Sequence, residues 1–164
     1  MFTVLFLCTG NSARSILAEA MLNDPAIGGG RFRAFSAGSH PSGTVHPLAL
    51  ELLRRHGIGT DGLRSKSWTE FAGPHAPALQ AVITVCDAAA AEPCPVWPGH
   101  PVTAHWGAPD PVAVTGSDVE RRSVFGDTMR ILRTRVELLV GLSLDGLEPA
   151  ALRRCLNEIG KAAR

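Results

Sequence analysis

The sequence contains no tyrosine, only four cysteines and no apolar run of the roughly 18 residues that a membrane-spanning helix needs. Four cysteines in 164 residues are too few for a disulfide scaffold, so we expect a reducing, cytoplasmic compartment and cysteines used in catalysis or metal binding. The net charge of +1 gives no reason to expect a nucleic acid or a membrane as a partner. The apolar first residues lack the positively charged start and the cleavage site of a signal peptide.

Apolar residues make up 45% of the chain, and their pattern predicts strands that alternate with helices. Nearly continuous apolar runs predict buried strands at residues 2–8, 31–37, 80–86 and 102–106. Apolar positions three and four residues apart predict helices at residues 12–23, 45–56, 118–140 and 148–161. Residues 87–101 and 107–117 are predicted to be loops, and prolines leave 68–79 ambiguous. We therefore expect a single α/β domain over residues 1–164, with an open four-stranded parallel sheet and helices on both faces.

The segment CTGNSARS at residues 8–15 carries the strongest chemical signal. Cys8 ends a buried strand, and Arg14 follows six residues later at the start of a helix. Five intervening residues let the backbone curl into a nest whose N–H groups bind one oxyanion, and Gly10 and Asn11 tolerate the positive φ that such a curl requires. We expect Arg14 to bind two oxygens of the anion and the same positive field to lower the pKa of Cys8. The substrate-binding candidates are Thr9, Gly10, Asn11, Ser12, Ala13, Arg14 and Ser15, whose hydroxyl can donate to the Cys8 sulfur.

Asp110 lies between two prolines, just past the fourth predicted strand. Ligands of parallel α/β sheets bind at the carboxyl ends of the strands, so this Asp is expected near the oxyanion loop. There it would act as the general acid for a leaving oxygen. The alternative is a turn residue, which is common between prolines.

Cys86 ends the third predicted strand, and Cys94 follows eight residues later. Two thiols near an activated Cys8 would allow a disulfide relay in which Cys86 attacks the Cys8 adduct and Cys94 then attacks Cys86. Two alternatives remain open. The two cysteines can be inert packing residues, or they can bind zinc with His100 and His105, although their spacing fits compact zinc patterns poorly. Cys155 is predicted to be a packing residue, the other histidines to be structural or surface groups, and the three tryptophans to be core or loop-anchoring rings.

Taken together, these motifs resemble the arsenate reductases that have a low-molecular-weight tyrosine phosphatase fold, over most of the chain to about residue 140. The matching segments are CTGNSARS at 8–15, SAG at 36–38, TVCD at 84–87, CPVWP at 94–98, HWG at 105–107 and DP at 110–111. The first segment is shared with the phosphatases, whereas the cysteine pair and the HWG segment resemble the reductases.

The resemblance implies that Cys8 attacks arsenate, that Arg14 and the loop amides bind the oxyanion, and that Asp110 protonates the leaving hydroxyl. It further implies that arsenite leaves as a Cys8–Cys86 disulfide forms, and that a Cys86–Cys94 disulfide follows. No bound cofactor or metal is implied. The disulfide would be reduced by an external thiol, with thioredoxin as the expected transient partner and glutathione with glutaredoxin, or mycothiol, as other reductants.

Two positions depart from the family pattern. Ala13 stands where many relatives carry a cysteine before the arginine. Some members also bind potassium beside the nucleophile loop, through residues that match Asn11, Glu19 and Ser36, but this sequence has no clear acidic fourth ligand. Our hypothesis is that the ammonium of Lys66 occupies the cation site.

The main alternative function is a tyrosine or small-phosphoester phosphatase, which needs only Cys8, Arg14 and Asp110. Phosphatases of this fold usually place a tyrosine after the Asp-Pro pair, where this sequence has Val112 and no tyrosine anywhere. A phosphatase also has no use for the cysteine pair. A third interpretation, a non-enzymatic redox sensor built on Cys8, needs neither the acid nor the relay.

Overall fold

The computed structural model describes residues 1–163 and contains one four-stranded sheet with the order β2-β1-β3-β4. Its strands, which are all parallel, are β1 (Phe2–Cys8), β2 (Phe32–Gly38), β3 (Ala81–Thr84) and β4 (Val102–His105). The register aligns Cys8 with Gly38, Leu7 with Thr84, and Thr84 with His105. The carboxyl ends of all four strands therefore meet at one edge of the sheet, and the predicted parallel α/β fold is confirmed.

All four predicted helices are present, together with two short helices, at residues 25–28 and 87–91, that the sequence did not predict. The helix bounds are α1 Arg14–Asn23, α2 Pro25–Gly28, α3 Pro47–Arg55, α4 Asp87–Ala91, α5 Asp118–Val140 and α6 Pro149–Gly160, with a 3-10 helix at Trp68–Phe71. The long α5 begins and ends where its apolar spacing predicts. Residues 87–101 were expected to be a loop, which is wrong for 87–91, because this stretch contains four alanines, the best helix formers, and the Cys86 sulfur accepts a hydrogen bond from its backbone.

The side chains of β1 alternate between two apolar clusters. Val4 and Phe6 belong to a large cluster that includes residues of α1, α5 and α6. Leu5 and Leu7 belong to a smaller cluster on the opposite face, closed by the 3-10 helix and by the loop that carries Trp97. Both faces of the central strand are thus buried, which is why its sequence is almost wholly apolar.

The last two helices hold the segment that follows β4. The indole N–H of Trp106 donates to the Leu156 carbonyl at 2.8 Å. The buried guanidinium of Arg135 on α5 donates to the carbonyls of Trp106 and Gly107 at 2.7 and 3.0 Å. These contacts fix the start of the segment that leads to Asp110. No helix within residues 1–163 is long and apolar enough to cross a membrane.

Candidate active site

The loop between β1 and α1 curls around the sulfur of Cys8. Its one residue with positive φ is Asn11, at 46°, whereas Gly10 does not adopt the left-handed conformation that the sequence suggested. Gly38, at the end of β2, allows the loop to pass close by, because a Cβ atom there would lie 2.4 Å from the Thr9 carbonyl oxygen. Helix α1 therefore begins at Arg14 and not at Ser12, since the preceding residues are used in the curl.

The carbonyl groups of this loop are bound on its outer side. The carbonyls of Cys8, Thr9, Gly10 and Ser12 accept hydrogen bonds from backbone N–H groups of residues 39, 40, 42 and 46 at 2.9–3.3 Å. In a trans peptide the C=O and the following N–H point in opposite directions. One of the amides that follow these carbonyls, that of Asn11, points into the curl and donates to the Cys8 sulfur.

Cys8 is buried at the bottom of the curl. Its Sγ shares a hydrogen bond of 2.9 Å with Ser15 Oγ and accepts one of 3.2 Å from the Asn11 amide. Burial raises the pKa of the Cys8 thiol, and the hydrogen bonds from Ser15 and Asn11 oppose this rise without cancelling it. The expectation of a lowered Cys8 pKa is therefore wrong, because removal of the sulfur from water outweighs the donors around it.

Arg14 and Asp110 meet at the mouth of the curl. Arg14 Nη1 donates to the Ala108 carbonyl at 3.0 Å, and Nη2 lies 3.6 Å from Asp110 Oδ2. The Arg14 side chain is largely buried, whereas Asp110 is partly exposed. Asp110 Oδ1 also accepts from the Val112 amide at 3.0 Å, which fixes the carboxyl group. A cation and an acid thus lie side by side at the entrance, in agreement with the sequence interpretation.

The two remaining candidate cysteines have different surroundings. Cys86 is buried, and its Sγ lies 3.6 Å from Thr9 Oγ1 in the nucleophile loop. The same sulfur accepts a hydrogen bond from the Ala89 amide at 3.3 Å and so caps α4. Cys94 is exposed, beyond the end of α4. The structure therefore brings Cys86 close to the loop that holds Cys8, whereas Cys94 is exposed and follows α4 along the chain.

A buried polar chain leads from the nucleophile to Lys66. Asn11 Nδ2 donates to Ser15 Oγ at 2.8 Å and to Ser36 Oγ at 3.0 Å, and Ser36 Oγ donates to Glu19 Oε2. Lys66 Nζ lies 3.8 Å from that carboxylate oxygen and donates to the Arg64 carbonyl at 3.1 Å. The Lys66 amide also donates to Asn11 Oδ1 at 2.8 Å. The three residues suggested as cation ligands and the lysine suggested as the cation therefore lie together.

Burial shifts both charged members of this chain. It raises the pKa of Glu19, and the positive charge of Lys66 and the hydrogen bond from Ser36 partly oppose the rise. Burial also lowers the pKa of Lys66, which the carboxylate of Glu19 opposes. Each group thus supports the charged form of the other.

Zinc binding by the cysteine pair and the two histidines gains no support. Within residues 1–163, no three His, Cys, Asp or Glu side chains converge as metal ligands would. His105 Nε2 instead lies 2.7 Å from Asp87 Oδ1, and its Nδ1 shares a hydrogen bond of 2.7 Å with Thr84 Oγ1.

Sequence reasoning missed the two contacts that hold α4. One is the His105–Asp87 pair, and the other is the hydrogen bond of 2.9 Å from Ser39 Oγ to Glu92 Oε1. The HWG motif singled out His105 but gave no hint of its partner. No signal in the sequence pointed to Glu92. Of the tryptophans, Trp97 and Trp106 are buried, as expected.

A buried thiol, a curled loop, an arginine and a carboxyl group are the groups that covalent chemistry on a tetrahedral oxyanion requires. The chain belongs to the family of low molecular weight phosphotyrosine protein phosphatases, which it matches over residues 3–148. The family resemblance expected from the sequence is confirmed.

Curated relatives and solved structures agree with this assignment. The chain is 35% identical over 126 residues to an arsenate reductase of Bacillus licheniformis, which covers 75% of this chain and 84% of that protein. It is similar to a thioredoxin-dependent arsenate reductase structure from Corynebacterium glutamicum, with a TM-score of 0.55 and 26% identity over 85% of this chain and 63% of that one. An arsenate reductase structure from Archaeoglobus fulgidus shares the fold, with a TM-score of 0.65 and 24% identity over 85% and 99% of the two chains.

Proposed function

We propose that the protein is a cytoplasmic arsenate reductase that uses Cys8, Cys86 and Cys94 in turn and is recharged by an external thiol. The observation that carries the proposal is the position of Cys86: a second buried thiol lies against the nucleophile loop, at 3.6 Å from Thr9 Oγ1. Hydrolysis of a phosphoester has no use for it. The curated relatives named arsenate reductase support the same conclusion.

In the first step arsenate binds in the nest, with the loop amides and Arg14 around its oxygens. In this proposal the Cys8 thiol passes its proton to an oxygen of the bound arsenate dianion. The sulfur then attacks arsenic, and an As–O bond breaks. Asp110, beside Arg14, protonates the departing hydroxyl, which leaves as water.

In the second step the Cys86 thiolate attacks the Cys8 sulfur. An S–S bond forms, and the electron pair of the S–As bond leaves with arsenic, which departs as arsenite. In the third step the Cys94 thiolate attacks Cys86 and releases Cys8 as a thiolate. The resulting Cys86–Cys94 disulfide includes the exposed Cys94, where a protein reductant such as thioredoxin reaches it.

The Lys66 ammonium takes the place of a metal cation in this proposal. It lies against Glu19, and the chain through Ser36 and Asn11 ends at Ser15, the hydrogen-bond partner of Cys8. A fixed internal charge keeps Glu19 ionised and holds Asn11 in the orientation in which it donates to Ser15. No potassium ion is then needed to order the loop.

A single turnover tests the proposal. Fully reduced protein receives one equivalent of arsenate without any reductant, and its disulfides are mapped by mass spectrometry after quenching. We expect one equivalent of arsenite and a Cys86–Cys94 disulfide in the wild type, and a Cys8–Cys86 disulfide in Cys94→Ser. In Cys86→Ser no intramolecular disulfide that includes Cys8 is expected.

Two results contradict parts of the proposal. If arsenite forms only after glutathione is added, the protein is still a reductase, but a small thiol takes the place of the intramolecular relay. Unchanged thiols together with brisk hydrolysis of a phosphoester mean that the protein is a phosphatase. The latter is not expected, because Val112 stands where a phosphotyrosine pocket would have its aromatic wall.

A further inference from the structure

Helix α4 separates the two relay thiols and has little stability of its own. It spans five residues, Asp87–Ala91, whereas isolated helices shorter than about 12 residues are marginal in water. Ala89 is the one buried residue within it. Contacts at its two ends therefore decide whether it keeps its shape.

The end next to Cys86 is fixed to the sheet. The Asp87 carboxylate binds His105 at 2.7 Å, and His105 binds Thr84 at 2.7 Å. Thr84 and His105 are paired residues of β3 and β4. Gly107 packs against the pair so closely that a Cβ atom there would lie 2.6 Å from Asp87 Oδ1. This end of α4 is therefore joined to β4 through the Asp87 side chain, which is itself exposed.

The end next to Cys94 is held by a single carboxylate. Glu92, the residue after α4, accepts a hydrogen bond of 2.9 Å from Ser39 Oγ, and its second oxygen lies 3.6 Å from His40 Nδ1. The backbone amides of Ser39 and His40 are themselves bound to the carbonyls of Cys8 and Thr9. Glu92 thus ties the Cys94 segment to the nucleophile loop.

A Cys86–Cys94 disulfide requires that this segment change its shape. Bonded cysteines have Cα atoms about 4.4–6.8 Å apart, whereas α4 alone advances the chain by about 7.5 Å. In addition, Cys86 is buried and Cys94 exposed. Glu92 lies between the helix and Cys94 along the chain, so we expect its contact with Ser39 to break when Cys94 approaches Cys86.

We propose that Glu92 is a positioning residue of the relay, and that its hydrogen bond to Ser39 holds Cys94 away from Cys86 until the last thiol exchange. The inference rests on the proposed function. In that exchange the Cys94 thiolate attacks Cys86, a Cys86–Cys94 bond forms, the Cys8–Cys86 bond breaks and Cys8 leaves as a thiolate. The contact between Asp87 and His105 keeps Cys86 close to Cys8, while the end of α4 at Glu92 moves.

The test measures closure of the Cys86–Cys94 disulfide without arsenate. In a Cys8→Ser/Cys155→Ser background, glutathione disulfide first forms a mixed disulfide with the exposed Cys94. The Cys86 thiolate then attacks the Cys94 sulfur and expels glutathione, and quenched samples give the rate of this closure by mass spectrometry. Ser39→Ala removes the hydrogen-bond donor and leaves the charge of Glu92 in place. We expect closure about tenfold faster in Ser39→Ala and in Glu92→Ala, the size expected for loss of one hydrogen bond to a charged group.

Two controls separate the effect of the Ser39–Glu92 hydrogen bond from other effects of the substitutions. Glu92→Gln keeps an oxygen that accepts from Ser39, so its closure rate is expected to stay within about threefold of the parent. Glu158→Ala removes an exposed carboxylate that is paired with Lys161 on α6, and closure is expected to be unchanged. The charge of Glu92 also helps to raise the pKa of Cys94. That effect changes the rate at which Cys94 forms the mixed disulfide, because Cys94 is the nucleophile in that step. In the closure step the nucleophile is Cys86.

Equal closure rates in the parent and in Ser39→Ala overturn the inference. Slower closure in both Ser39→Ala and Glu92→Ala overturns it as well. The proposed function fails on a different measurement, the arsenite released in a single turnover of the wild type. If the wild type releases one equivalent of arsenite but the disulfide closes at the same rate in the parent and in Ser39→Ala, the proposed function stands and the role of the Ser39–Glu92 hydrogen bond is rejected.

Discussion

Replacing Lys66 by methionine leaves Glu19 as a buried carboxylate without its ion-pair partner. At 3.8 Å and an effective dielectric constant near 20, the attraction between the two charges is about 4 kcal/mol. Breaking a buried pair from one side costs about 3–5 kcal/mol. Because Ser36 still donates to Glu19, we expect the lower end, a loss of about 3 kcal/mol in the free energy of unfolding and roughly 6–12 °C in Tm.

The pH dependence of this loss follows from the Glu19 carboxyl group. Its pKa is already raised by burial, and loss of Lys66 removes a charge that lowers it. A raised pKa in the folded state means that the folded protein binds the proton more tightly than the unfolded chain. The loss of stability in Lys66→Met is therefore absent below the pKa that Glu19 has in the unfolded chain, and it is complete above the pKa that Glu19 has in the folded protein. Lys66→Met is expected to lose more stability at pH 8 than at pH 5.

Urea unfolding followed by circular dichroism at both pH values measures this loss. Arg55→Met is the matched control, because it removes a cation from an exposed pair with Glu51, where a far smaller loss is expected. Adding Glu19→Gln to Lys66→Met removes the stranded charge and is expected to restore part of the stability. A loss in Lys66→Met below about 1 kcal/mol, or a loss that does not depend on pH, would refute the reasoning. Stabilisation of the wild type by potassium but not by sodium would contradict the role of the ammonium as the cation.

Three further changes test the site and its supports. Ser15→Ala removes a hydrogen bond that lowers the pKa of Cys8. The pH profile of Cys8 alkylation is therefore expected to move to higher pH, and an unmoved profile contradicts this. Gly38→Ala places a Cβ atom 2.4 Å from the Thr9 carbonyl, and we expect a loss of about 2 kcal/mol in thermal unfolding together with slower arsenite formation. Trp106→Phe removes the indole donor to the Leu156 carbonyl and part of a fully buried ring, and is expected to cost about 2 kcal/mol, with native far-UV circular dichroism retained.

The features that the sequence predicted well are those set by strong local patterns. The continuous apolar run of β1 and the four- and three-residue spacing along α5 need no tertiary information, and both elements end where expected. The spacing of Cys8 and Arg14 is equally local, since a curl between a strand and a helix follows from the intervening residues. Asp110 could be placed beside them because the strands of a parallel sheet present their carboxyl ends on one side.

The features that the sequence predicted poorly depend on surroundings. The pKa of Cys8 is decided by how deeply the curl is buried, which no motif encodes. Helix α4 was overlooked because it is short and is followed by a stretch rich in proline, and because its ends are held by residues far away in the sequence. Glu92 lies 53 positions from Ser39, and Asp87 lies 18 positions from His105, so these pairs emerge only from the folded chain.

The uneven pairing of the central sheet has a consequence for amide hydrogen exchange. All seven residues of β1 pair with β2 and four of them also pair with β3, so its amides are expected to exchange only when the whole domain unfolds. Helix α4 follows the four-residue β3 and is expected to exchange through frequent local opening. If the proposed relay operates, Cys8 stands at the end of a strand that is expected to open slowly, and Cys94 follows a short helix that is expected to open often, so that motion of Cys94 need not disturb Cys8.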